Sequence, residues 1–140
     1  MARGFGARNL IGTAPEFGWA EISRTEAAQR DPVLSAVGQG FMAFQWHSDT
    51  FDLPPGALHL AQSPLVKHQA FRMGRAGYAT QFHFEANQNI VAEWTRRFPA
   101  PIEALAPGWI AQHSSHARAS AAQADAAGLA LARAFVAQII

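Results

Sequence analysis

The 140-residue sequence contains no cysteine. That excludes disulfides, thiolate metal sites and a cysteine nucleophile anywhere within these residues. It also lacks any apolar run near the ~20 residues a helix needs to cross a bilayer, so no membrane association is expected. Charge is scarce, with 15% of residues Asp, Glu, Lys or Arg, and it is balanced to a formal net charge of +1. A nucleic-acid partner is not expected, because such partners select a basic face. Met1 to Leu10 carries Arg3 and Arg8 without an acid. It has too few arginines and no serine for a transit peptide, and it lacks the apolar centre of a secretory signal. A cytoplasmic protein is the default expectation.

The remaining composition, 49% hydrophobic, is that of a globular chain. Its length is that of one domain able to bury a core, so residues 1–140 are read as a single unit. Met1 to Asn9 reads as the end of a helix weakened by Gly4 and Gly6. Glu16 to Ser23 alternates in part and reads as a strand. Thr25 to Arg30 is polar and helix-prone. Asp31-Pro32 has the form of a helix start, leading into Val33 to Val37. Phe41 to Trp46 is a strongly apolar strand, and Ala57 to Ala61 and Lys67 to Met73 are shorter ones. Gly74 to Gly77 turns the chain into a strand from Gly77 to Phe84. Short strands between tight turns predict an antiparallel or mixed sheet.

After Glu85 the period changes. Ile90, Val91, Trp94 and Phe98 recur at helical spacing, with Asn87 or Asn89 as cap and Pro99 and Pro101 as stops. Ile102 to Ile110 reads as a loop or short helix broken at Pro107-Gly108. Ser115 to Ile140 is an alanine-rich final helix, with Leu129, Ala132, Val136 and Ile139 as its apolar stripe and Gly128 as a weak interruption.

Two polar pairs follow hydrophobic strands, where α/β folds place their sites. One is His47 with Asp49, the other His83 with Glu85. If the central strand continues to Glu85, then Gln81, His83 and Glu85 share one face, and Phe82 and Phe84 point into a core. An imidazole with a carboxylate two residues on can act as a general base held in its tautomer by the acid. The same pair can equally be a polar strand end bonded to its neighbours. Together with His47 and Asp49 it can also supply two imidazoles and two carboxylates to a metal. His59 and His68 read as solvent-facing or hydrogen-bonded fillers, and His113 and His116 as surface residues. Arg96-Arg97 is a solvated helix end.

The run Phe44-Gln45-Trp46-His47-Ser48-Asp49-Thr50-Phe51-Asp52-Leu53-Pro54-Pro55-Gly56-Ala57 resembles a stretch of class I glutamine amidotransferase domains. The nearest type is the stand-alone one similar to the glutaminase part of GMP synthase. Glu16-Phe17-Gly18-Trp19, Gln69-Ala70-Phe71-Arg72 and Tyr78 to Glu85 continue the resemblance in order, over roughly Met1 to Phe98. It implies the C-terminal half of a flavodoxin-like α/β fold, a mixed sheet with flanking helices. The implied activity is hydrolysis of the side-chain amide of glutamine, or of another γ-glutamyl compound, by a Cys-His-Glu triad, with ammonia passed to a synthetase partner.

By that resemblance His83 is the base, Glu85 its orienting acid, and Gln45, Trp46 and His47 lie in the stretch whose backbone holds substrate, with His47 a structural or substrate-side residue rather than a second base. No cofactor and no metal are implied. Phe84 stands where many members have proline. The nucleophilic cysteine of the family precedes the region matched here, so the first half of the domain, with its elbow, is expected to be missing. The chain alone is then expected to be inactive, and uncovered edges and apolar faces lead us to expect self-association. The other roles weighed are a non-catalytic binding or regulatory fragment and a metal-binding protein.

Overall fold

The computed structural model describes residues 1–139; Ile140, where the sequence reading ends its last helix, lies outside the described residues. Seven strands precede three helices: β1 (Asn9–Leu10), β2 (Glu16–Arg24), β3 (Gly40–His47), β4 (Thr50–Phe51), β5 (Leu58–Gln62), β6 (Ala70–Met73), β7 (Gly77–Thr80), α1 (Gln88–Arg97), α2 (Pro99–Leu105) and α3 (Trp109–Val136). β1 and β4 form a small pair, and the others form one sheet in the order β3-β2-β5-β6-β7. The α/β class and the flanking helices are as expected. Every strand pairing among the described residues is antiparallel, so the parallel part of the expected mixed sheet is not found here.

The sheet curls until its two ends meet. Beyond β7 the chain forms an antiparallel bridge to β3, with the His83 amide donating to the Phe44 carbonyl at 2.8 Å. Phe41, Ile22, Leu60, Ala70 and Phe82 fill the inside of the curl, and Leu131 of α3 packs against them. Phe44, Val91, Ile102 and Trp109 form a second core between the outer face of β2–β3 and the helices. A third, around Phe71 with Ala2 and Ala7, lies beneath the N-terminal segment.

The strand expected from Gly77 to Phe84 ends at Thr80. In a straight strand the amides of residues 81 and 83 point to the same neighbour. Here Gln81 N donates to Gln69 O, whereas His83 N donates to Phe44 O, so the chain must turn between them. Met1 to Asn9 holds only a 3₁₀ turn at Ala2–Phe5, not the end of an α-helix. Asp31 does receive the amides of Val33 and Leu34 at 3.0 and 2.9 Å, but a single 3₁₀ turn follows. Asn87 caps α1 as expected, accepting from the amides of Asn89 and Ile90.

The last helix begins at Trp109 rather than Ser115. The Glu103 carboxylate makes the earlier start possible by accepting from the amides of Gly108 and Ile110, two donors that a helix start leaves open. Its buried face also differs from the expected stripe. Ala121, Ala124, Gly128 and Leu131 are buried, whereas Leu129, Val136 and Ile139 are 51%, 51% and 65% exposed. In a helix this rich in alanine, the side that comes closest to the sheet carries Ala121, Ala124 and Gly128 with Leu131, and Leu129 and Val136 are turned outward. None of the described helices is long and apolar enough to cross a membrane.

The two leucines test that assignment. Leu131→Ala should lower the free energy of unfolding by about 2–5 kcal/mol, and Leu129→Ala by less than about 0.5 kcal/mol. Urea denaturation of both variants measures the difference.

Candidate functional site

His83 follows the turn that ends β7, and its backbone is fixed by the bridge to Phe44. Its Nδ1 lies 2.7 Å from Glu85 Oε1. A carboxylate only accepts, so Nδ1–H donates and the lone pair of the neutral ring is left on Nε2. The His83 side chain is 32% exposed and that of Glu85 57%, so the pair stands at the surface with its imidazole half sheltered. The shelter is Trp94 of α1, which meets the imidazole edge-on at a centroid distance of 5.5 Å. Trp94 in turn touches Trp46 at 5.3 Å, and Trp46 touches Phe98 at 5.7 Å. One side of the imidazole therefore borders an aromatic wall and the other a carboxylate. Such an arrangement can accept a proton at Nε2 and hold the resulting charge.

The three residues expected beside the substrate separate. Alternation along β3 sends Trp46 to the side of Trp94 and His83, and turns Gln45 and His47 to the opposite face. Gln45 is fully buried, and its Oε1 is 3.1 Å from His47 Nε2. His47 Nε2 also lies 3.1 Å from Glu16 Oε2, and its Nδ1 donates to the Asp49 carbonyl at 3.0 Å. The side chains of Gln45 and His47 thus belong to an internal polar network and offer nothing to the surroundings of His83.

Sequence reasoning missed the centre of that network. Glu16 accepts from Ser63 Oγ at 2.7 Å and from the Gln69 amide, joining β2, β3 and the two ends of the β5–β6 connection. The available signal was parity at Glu16, which shares its face of β2 with Gly18, Ala20 and Ile22; Gln69 lies before β6 and carried no such signal. His59 and His68 do bond to backbone carbonyls, of Ala61, Lys67 and Phe51. Arg96 and Arg97 are exposed and paired with Glu93. Among the described residues no group of three or more His, Asp or Glu side chains could hold a metal ion, and the two His-carboxylate pairs do not converge.

His116 is exposed as expected, whereas His113 is half-buried. His113 stacks on Trp19 at 6.0 Å and leans on Trp109 at 5.1 Å, and His116 lies parallel to Trp109 at 5.9 Å. Burial lowers the His113 pKa below its ordinary 6.5, and the neighbouring His116 adds to the effect.

No family model matches the chain, and no curated protein matches it in sequence. Solved structures match it in fold. A glutamine amidotransferase from Methylobacillus flagellatus superimposes with a TM-score of 0.81 at 22% identity, over 99% of this chain and 57% of its own. One from Thermotoga maritima gives 0.74 at 24% identity, over 96% of this chain and 57% of its own. A protein from Thermoplasma acidophilum, described as part of a GMP synthase, gives 0.53 at 28% identity, over 60% of this chain and 42% of its own. The chain has the fold of the glutamine amidotransferase structures and spans 57% of the length of the first two.

The half-buried imidazole of His113 has a measurable consequence. Its folded-state pKa is below the unfolded one, so its contribution to stability is complete above about pH 6.5 and is lost as the pH falls through the folded value. Replacing it, as His113→Gln, should flatten the decline in urea midpoint between about pH 7.5 and about pH 5. An equally steep decline in the variant would contradict the assignment.

Proposed function

We propose that this chain is the base-bearing part of a glutamine amidotransferase, with His83 as general base and Glu85 as the acid that orients it. The observation that carries the reading is the 2.7 Å bond from Nδ1 to Glu85, which leaves Nε2 as the basic atom on an accessible surface. The likeness in fold to glutamine amidotransferases supports it, as does the resemblance over Glu16 to Glu85.

In the proposed reaction Nε2 removes the proton of a cysteine thiol. The thiolate attacks the side-chain amide carbon of glutamine, and the imidazolium returns the proton to the departing ammonia. Water, deprotonated by the same nitrogen, then cleaves the γ-glutamyl thioester to glutamate. The thiol has to come from outside these 140 residues, which have none. Trp46 is the one member of the expected substrate-side trio that reaches the aromatic wall beside His83, and it would line the approach of the substrate. The acceptor of ammonia is a synthetase partner in this reading, in keeping with the GMP synthase component found to be similar in structure. Self-association would cover Leu129 and Val136, which face outward on α3, and the exposed Ile139 beyond its end. The absence of cysteine also favours a second role, a binding or regulatory module with no catalysis of its own.

Ammonia release from glutamine tests the proposal. The 140-residue chain should release none above buffer. The product of the gene extended upstream to an in-frame cysteine, or the chain mixed with a partner that bears one, should turn over. In that active form His83→Ala should lower kcat by about 10²–10⁴-fold. Turnover that survives His83→Ala within twofold would sink the assignment, as would release by the bare chain that depends on His83.

A further inference from the structure

Gly128 occupies the middle of α3, where glycine is the least favourable residue after proline. Its φ is not in the left-handed region, so conformational freedom does not explain it. Space does: a Cβ built on Gly128 would overlap the carbonyl oxygen of Phe84. That oxygen belongs to the peptide joining Phe84 to Glu85, directly between the two residues of the site. The obstacle is backbone, not the end of a flexible side chain, so it cannot move aside without moving the peptide. One turn earlier on the same face, Asp125 accepts from the amide of Gln88 at 3.1 Å, tying the far end of the segment to α3. The near end is fixed by the bridge from His83 to Phe44.

We propose that Gly128 is a positioning residue for the His83–Glu85 pair. The segment from His83 to Gln88 is a short span held at three places: to β3 at His83, to α3 by bare contact at Phe84 and Gly128, and to Asp125 at Gln88. The missing side chain at residue 128 sets how far the Phe84–Glu85 peptide stands from α3. It therefore sets whether the Glu85 carboxylate reaches Nδ1 of a ring whose own backbone is fixed elsewhere. A side chain there pushes the peptide outward, and because His83 cannot follow, the bond between ring and carboxylate is what opens. The catalytic meaning of this rests on the function proposed above; the geometry does not.

The test reads the ring directly and needs no glutamine. Long-range proton–nitrogen NMR of the full 140-residue chain distinguishes the two neutral tautomers of each histidine. In the parent chain His83 should carry its proton on Nδ1. In Gly128→Ala that preference should collapse toward the mixture of a free imidazole, in which Nε2–H dominates, with at least a threefold change in tautomer ratio. His68, with Nδ1 on the Phe51 carbonyl, and His59, with Nε2 on those of Ala61 and Lys67, serve as fixed references of opposite tautomer. Leu129→Ala, one residue away and outward-facing, should leave His83 unchanged. If Gly128→Ala does not fold, Asp125→Ala decides, since it releases the same segment without adding a clash. An Nδ1–H proton retained on His83 in folded Gly128→Ala, or in Asp125→Ala when that variant decides, overturns the proposal. The expected tautomer change in a protein that never hydrolyses glutamine would overturn the proposed function and leave this inference standing.

Discussion

One backbone hydrogen bond, from the His83 amide to the Phe44 carbonyl, joins the end of the curled sheet to its beginning. On its own such a bond contributes only about 1 kcal/mol net. It persists because the residue before it, Phe82, is buried inside the curl against Phe41, and that burial is worth about 2–3 kcal/mol. The consequence for the site is direct. The chain has to leave β6 at Gln81 and reach β3 at His83, and the turn this forces points the imidazole toward Trp94 rather than along a strand. The position of the His83 imidazole is thus a by-product of closing the sheet.

Two buried carboxylates hold the rest of the curl in register. Glu16 gathers Ser63, Gln69 and His47, and Asp31 gathers Arg72, Tyr78 and the amides of Val33 and Leu34. A buried carboxylate is costly unless its lone pairs are taken up, and both of these are surrounded by donors. Burial raises the pKa of Tyr78, so its hydroxyl stays protonated and able to donate to Asp31. In a chain with so little charge, placing two carboxylates inside means that removing a single donor strands a charge and is felt across several strands.

The five strands of the main sheet and α1 were legible in the sequence because alternation, the Asn87 cap and the proline and glycine breaks are local signals, whereas the two-residue strands β1 and β4 were not read. The pairing of His83 with Glu85 was legible for the same reason, since two residues on one strand end stay close even when the strand bends. What could not be read was set by distant contacts. The early end of β7 depends on which neighbour accepts the His83 amide. The early start of α3 depends on a carboxylate from α2, and its buried face on a carbonyl that Gly128 has to admit. The large side chains Leu129, Val136 and Ile139 gave the stronger periodic signal and pointed to the wrong face. Gln45, Trp46 and His47 were grouped by resemblance through their backbone, and the pleat of β3 sends their side chains to two faces.

The aromatic wall runs further than the site needs. From His83 it passes through Trp94, Trp46, Phe17 and Trp109 to Trp19, and ends on His113 and His116. All four tryptophans of the sequence belong to this one string. They form two contacting indole pairs, Trp94 with Trp46 and Trp109 with Trp19, joined through Phe17. Indole emission is quenched by a protonated imidazole in contact with it, and histidines stand at both ends of the string. A proton arriving at the His83 imidazole would therefore dim the emission of the indole pair beside it, Trp94 and Trp46, and one arriving at His113 or His116 that of Trp19 and Trp109.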